Sequence, residues 1–215
     1  TAQRGMIATA PRISNPGCYP TGFLALARPL IESGILPADC RLNVPAVSGY
    51  SGGGKSMIGA HDAGGLAPQF SYGVNLAHKH LAEMTHYAGL QTPPIFMPSV
   101  GDFYAGMLVH LPLHADQFST AVNADQLYQL YADWYAGATL VRMGATCAND
   151  ENTPNMLAAD ALADTDSMEI FVFSDAQARR FWLVARLDNL GKGASGAAVQ
   201  NMNIALGIDE AISLA

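Results

Sequence analysis

The chain has 215 residues, half of them hydrophobic and only 13% charged, with a formal net charge of −7. This is the balance of a globular protein with a full core, and its eleven scattered Lys and Arg residues exclude a nucleic-acid backbone as the natural partner. No run approaches the roughly 20 uncharged apolar residues of a membrane span. The opening Thr1-Ala2-Gln3-Arg4-Gly5 has neither initiator Met nor signal sequence and reads as the middle of a longer protein. Met6-Ile7-Ala8 is a short apolar piece that runs into an Asn15-Pro16-Gly17 turn. Helical spacing follows over 20–33 (Phe23, Leu26, Ala27, Leu30, Ile31) and stops at Gly34, a C-cap signal. Leu42 to Val47 predicts a strand ahead of a glycine-rich loop, and 74–88 predicts a helix that carries His78, His80 and Glu83. Strands are expected at 95–98 and 104–113, then an amphipathic helix over 122–135 with Asn123 or Asp125 near its start. Residues 168–173 and 180–187 flank Ser174-Asp175-Ala176-Gln177-Ala178 as a hairpin pair, and a small-residue helix fills 192–206. Strands and helices mix without strict βαβ alternation, so the expected class is α+β with a mixed, largely antiparallel sheet.

Cys18 sits between the Pro-Gly turn and the first turn of the first strong helix. A thiol there faces unpaired backbone N–H groups, whose partial positive charge favours the attacking thiolate and can hold a neighbouring oxyanion. The plain alternative is a small buried apolar filler. The turn residues on both sides favour the reactive reading, since a filler needs neither Asn-Pro-Gly before it nor Pro-Thr-Gly after it. Three cysteines (Cys18, Cys40, Cys147) are too few and too irregular for a disulfide framework or a zinc site, so no metal is expected and the setting reads as reduced and cytoplasmic.

Gly49 to Ser56 matches the phosphate-loop pattern G-x-x-x-x-G-K-[ST] and follows a predicted strand. The segment after it, Met57 to Gly65, is a poor helix, expected to break at its glycines after about one turn. No apolar strand ends in an Asp suited to magnesium. A nucleotide hydrolase is therefore the rival reading, while a weaker one survives: Ser48, Gly49 and Ser51, with Lys55 as charge partner, form an anion site for a substrate.

Five stretches taken together resemble one family. They are Ser14 to Gly22, Val47 to Lys55, His78-Lys79-His80-Leu81-Ala82-Glu83-Met84, Phe96 to Met107, and Asp188 to Asn201. In this order they are similar to the N-acetyl-γ-glutamyl-phosphate reductases, the shorter second type, of the semialdehyde-dehydrogenase superfamily. The resemblance implies a catalytic and dimerisation domain over 18–187. It also implies that 1–17 and 188–215 are the tail and the returning C-terminal helix of a Rossmann domain that lies mostly outside the sequence. It further implies NADP as cofactor, touched by Asn189, Gly191, Lys192 and Gly193, a small-molecule substrate in arginine biosynthesis, and a homo-oligomer, dimer or tetramer. The implied chemistry joins the Cys18 thiolate to the acyl carbon of the substrate as a thioester.

His78 and His80 are the natural proton carriers, and the family's motif includes both. On a regular helix they would point about 200° apart. Glu83, three residues after His80, would share its face and orient that ring. Tyr72 and Asn15 are weaker candidates for substrate contact, and His61, His86, His110 and His114 read as surface or packing residues. Aspartate-semialdehyde dehydrogenase, with the same thioester chemistry, and a non-catalytic binding domain are the remaining alternatives. Alkylation of Cys18 ahead of the other cysteines is expected on the activated-thiolate reading, and equal or slower labelling would overturn that reading.

Overall fold

Gly17 leaves the backbone extended and caps helix α2, Cys18–Glu32; an earlier helix, α1, spans Ala2–Thr9. The computed structural model describes residues 2–144 and 156–215, so Cys147 lies outside the described residues. Pro20 occupies the first turn of α2, where its missing N–H is no loss. Pro29 lies inside the helix and leaves the Ala25 carbonyl without its usual donor. Helix α5, Ala124–Trp134, makes this good. The Tyr135 hydroxyl, just past its end, donates to Ala25 O at 2.9 Å, and buried Tyr131 donates to Leu26 O. Asn123 caps α5 reciprocally with Gln126, both bonds 2.9 Å.

The strands are β1 Asn43–Gly49, β2 Gln69–Ser71, β3 Ile95–Gly101, β4 Met107–His114, β5 Val141–Met143, β6 Met168–Ser174 and β7 Arg180–Leu187. They form one sheet in the order β2-β3-β1-β4-β7-β6-β5. β1 and β3 run parallel, as do β5 and β6, and the other neighbours are antiparallel. The α+β reading with a mixed, largely antiparallel sheet is thus the observed fold. The sheet buries one face against α2 and α5, in a core built from Phe23, Leu26, Leu30, Val109, Leu111, Leu127, Ile170 and Leu183. A smaller cluster, Leu108, Phe171, Phe173 and Val184, lies on the opposite face.

Two expectations need correction. Helix α4 covers only Leu81–Ala88, because 74–80 forms turns in which Leu76 takes a positive φ. His78 and His80 therefore precede the helix, and the argument from opposite helical faces does not apply. The segment after the glycine loop, in contrast, is a nine-residue helix, α3 (Gly54–Asp62), longer than its glycines suggested. No residue of α3 is buried; it rests on the single 3₁₀ turn Tyr50–Gly53, and His61 ties it down by stacking on Tyr50 with ring centroids 3.7 Å apart and bonding Asp102 at 2.8 Å. Those contacts outweigh the glycine penalty. The strands β2 and β5, three residues each, were not foreseen. The 192–206 segment opens as a π-helical turn, Gly191–Ser195, and continues as α6, Gly196–Ala205. α6 packs against α1.

Candidate active site

Cys18 is the first residue of α2 and is only partly exposed. The backbone N–H groups of Cys18 and Tyr19 face its sulfur, as a helix start dictates. Burial nevertheless wins: the thiol is pushed above its ordinary value, with those N–H groups and the charge of Lys79 opposing and Glu83 adding to the rise. The expected free thiolate is therefore not the resting form. Behind the sulfur-bearing carbon lies Gly193, where a Cβ would stand 2.8 Å from Cys18 Cβ and 3.0 Å from Asp188 O. Only a residue without a side chain lets the π-helical turn come this close.

His80 is buried, and its ring packs over the Cα of Gly17, the residue before Cys18, leaving no room for a Cβ there. Its backbone N–H donates to His78 Nδ1 at 3.1 Å, and the two rings lie 4.6 Å apart. His78 also meets Phe96 and Tyr72 edge-on. Burial, with His78 beside it, pulls His80 down to about 4; burial also lowers His78, helped by Lys79. Both imidazoles are thus neutral near pH 7, and His80 Nδ1 is buried without a hydrogen-bond partner. Glu83 does not orient His80. Its carboxylate accepts the Gly17 N–H at 2.9 Å and so fixes the turn that presents Cys18. Tyr19, which the sequence reading passed over, packs edge-on to Phe96 and donates its hydroxyl to Ser99 O at 3.0 Å; the Tyr72 hydroxyl adjoins it.

The predicted anion site is built differently. The N–H groups of Gly49, Tyr50 and Ser51 donate to the carbonyls of Gly106, Phe103 and Tyr104 at 2.9, 2.9 and 3.1 Å. Ser48 is buried and donates to Gly49 O, while Ser51 accepts from Asn189 Nδ2 at 3.0 Å. The N–H groups of Gly49, Tyr50 and Ser51 are thus spent on the β3–β4 connection. Lys55 is exposed on α3.

The four predicted cofactor contacts also turn inward. Asn189 is buried, bridging Ser51 and the Gly106 N–H. Gly191 packs on Thr165 O. The buried Lys192 donates to Gln200, which donates to Glu210, which pairs with Arg4 at 2.6 Å; burial brings Lys192 down to about 8. Asn15 accepts from Asn201 of α6. Among the described residues no group of three His, Cys, Asp or Glu is placed to hold a metal ion, and no helix is long and apolar enough to cross a membrane.

A family model described as "Semialdehyde dehydrogenase, dimerisation domain" matches residues 18–189, from the nucleophile candidate to the asparagine that braces the glycine loop. The chain belongs to the semialdehyde dehydrogenase family. Within it the chain groups with the N-acetyl-γ-glutamyl-phosphate reductases. A protein so named from Trichormus variabilis is 45% identical over 99% of this chain and 69% of its own length. One from Rhizobium rhizogenes is 46% identical over 95% of this chain and 67% of its own length. Solved structures share the semialdehyde dehydrogenase fold at low identity. An aspartate semialdehyde dehydrogenase II from Vibrio cholerae superposes with a TM-score of 0.64 at 18% identity, covering 91% of this chain and 62% of that one. A probable aspartate-semialdehyde dehydrogenase from Pseudomonas aeruginosa gives 0.65 at 16%, covering 94% and 66%.

Proposed function

We propose that this chain carries the acyl-transfer site of an NADP-dependent N-acetyl-γ-glutamyl-phosphate reductase, acting in arginine biosynthesis in the cytoplasm, with Cys18 as the nucleophile. The observation that carries the reading is the placement of Cys18 at the start of α2, with His80 seated on Gly17 and Gly193 pressed against its Cβ. In the first half of the reaction the sulfur attacks the acyl carbon. A C–S bond forms, the C–O bond to phosphate breaks, and inorganic phosphate departs. The thiol proton passes to the imidazole pair, in which His80 is seated on Gly17 and His78 accepts the His80 backbone N–H. Because burial keeps the thiol protonated and His80 uncharged, the proton moves as the sulfur attacks, rather than from a preformed thiolate–imidazolium pair. The N–H groups of Cys18 and Tyr19 stabilise charge that develops beside the sulfur. Glu83 acts by holding the turn, and Tyr72 with Asn15 lines the approach.

NADP is expected to supply the hydride of the second half. The residues of this chain proposed to touch it do not fit that role directly, since Asn189 and Lys192 spend their polar atoms inside the protein and Gly191 and Gly193 pack on Thr165 and Cys18. The mechanism derived from this chain therefore stops at the thioester. The packing of α1 on α6 supports reading 1–17 and 188–215 as parts of a separate nucleotide-binding domain around the 18–187 catalytic domain. The dimerisation-domain match supports a homo-oligomer. The test is phosphate-dependent reduction of NADP by N-acetylglutamate semialdehyde with the full-length protein. Cys18→Ser abolishes it on this reading, and retained activity ends the covalent mechanism.

A further inference from the structure

Resting on the reading of Cys18 as the nucleophile, we infer that Gln200 and Asn201, adjacent on α6, are positioning residues that hold the two flanks of Cys18. One flank is the lead-in turn. Asn201 Nδ2 donates to the side-chain oxygen of Asn15, three residues before the thiol, and Glu83 accepts the Gly17 N–H at 2.9 Å. The other flank is the π-helical turn Gly191–Ser195. Lys192 donates its ammonium to Gln200 Oε1. The next residue, Gly193, lies so close that a Cβ there would stand 2.8 Å from Cys18 Cβ and 3.3 Å from Cys18 Cα. Neighbouring side chains of one helix thus reach both the turn that leads into Cys18 and the turn packed on it.

The bonding pattern favours positioning over plain stabilisation. Among the described residues, the Asn15 amide and the Lys192 ammonium make no other side-chain hydrogen bond, so α6 is the side-chain tether of each flank. Gln200 is itself locked from behind. Its Nε2 donates to Glu210 at 2.8 Å, and Glu210 pairs with Arg4 of α1 at 2.6 Å. With both ends of the amide committed, Oε1 keeps one direction. Lys192 is 7% exposed, and an ammonium buried against a neutral amide is costly where an apolar side chain of similar length would desolvate no charge. Apolar packing is non-directional, whereas the Lys192–Gln200 bond fixes where the π-helical turn sits against Cys18. The position matters there, because a shift of about 1 Å in a reacting group costs up to about a hundredfold in rate.

The test measures kcat and KM of the full-length protein for phosphate-dependent reduction of NADP by N-acetylglutamate semialdehyde. Asn201→Leu and Gln200→Met, both at half-buried positions, are each expected to lower kcat more than about fivefold with KM changed less than about twofold, the pattern of a group misplaced in the transition state. Asn201→Asp recovers most of kcat, because the Asn15 amide turns over and donates to the new carboxylate. Asn203→Leu is the control for packing alone. Asn203 is buried on the same helix, but it donates to the carbonyls of Glu210 and Ile212 and to neither flank of Cys18. Its loss lowers the melting temperature and leaves kcat within about twofold. Should Asn203→Leu not fold, the comparison of Asn201→Asp with Asn201→Leu decides alone. A smaller loss of kcat in Asn201→Leu or Gln200→Met, an equal loss in Asn203→Leu, or no recovery in Asn201→Asp overturns the assignment. Retained activity in Cys18→Ser instead defeats the nucleophile reading itself.

Discussion

Gly193→Ala tests the contact on which the site geometry depends. The new methyl would lie 2.8 Å from Cys18 Cβ, 3.0 Å from Asp188 O and 3.3 Å from Cys18 Cα. Carbon pairs rest at about 3.5–4.0 Å, so the first turn of α2 or the π-helical turn must move by several tenths of an ångström. Such overpacking costs about 1–3 kcal/mol. Replacing a helical glycine by alanine returns about 1 kcal/mol, which would mask part of that cost. Gly59→Ala in α3 supplies the correction, because nothing lies within 4 Å of its Cβ position. It carries the propensity gain without the clash. The difference between the two variants therefore isolates the steric cost, about 1–3 kcal/mol. At about 2–4 °C per kcal/mol for a chain of this size, Gly59→Ala should melt about 2–12 °C above Gly193→Ala. Differential scanning calorimetry gives the melts, and iodoacetamide labelling gives the chemistry, with Cys18 slower in Gly193→Ala. Equal rises in Tm for both variants, with unchanged Cys18 labelling, would refute the close approach of the π-helical turn to Cys18.

Three further outcomes are expected. Tyr135→Phe leaves the Ala25 carbonyl, stranded by Pro29, without a partner and should cost about 1–3 kcal/mol in denaturant unfolding; a loss below about 0.5 kcal/mol would show that water serves as well. His80 and His110, both brought to about 4 by burial, bind protons less readily folded than unfolded. Stability should therefore hold above about pH 6.5 and decline as pH falls toward 5, before most carboxylates titrate; the double variant His80→Gln/His110→Gln should flatten that slope, and an unchanged slope contradicts their neutral burial. His61 moves the other way, raised by its hydrogen bond to Asp102. Its contribution is complete below about pH 6.5 and fades as pH rises through the folded value. NMR titration should place His61 above its ordinary range and Asp102→Asn should return it, whereas equal titration in both would remove the pair.

The sequence was most readable where periodicity and chain order carry the signal. The α2 repeat, the hairpin of β6 and β7 and the Asn123 cap all announce themselves locally, and the placement of Cys18 at a helix start followed from its flanking turn. What stayed hidden depends on partners distant in the chain. The N–H groups of Gly49 to Ser51 look free until the β3–β4 connection is seen to accept them. Glu83 shares a helical spacing with His80, yet His80 lies outside the helix and the carboxylate reaches back to Gly17. The thiol looked activated because a helix start lowers a thiol pKa, but the depth of burial is a tertiary property and outweighs it. Helix α3 forms against its glycine content because His61 finds Tyr50 and Asp102.

The central claim is that Cys18 forms the acyl-enzyme. Its most direct test is mass spectrometry of the full-length protein after brief incubation with N-acetyl-γ-glutamyl phosphate and no reduced cofactor. The account predicts one N-acetylglutamyl adduct, on the peptide containing Cys18, that hydroxylamine removes and Cys18→Ser prevents. An unmodified Cys18 peptide, or an adduct confined to Cys40 or Cys147, would contradict it.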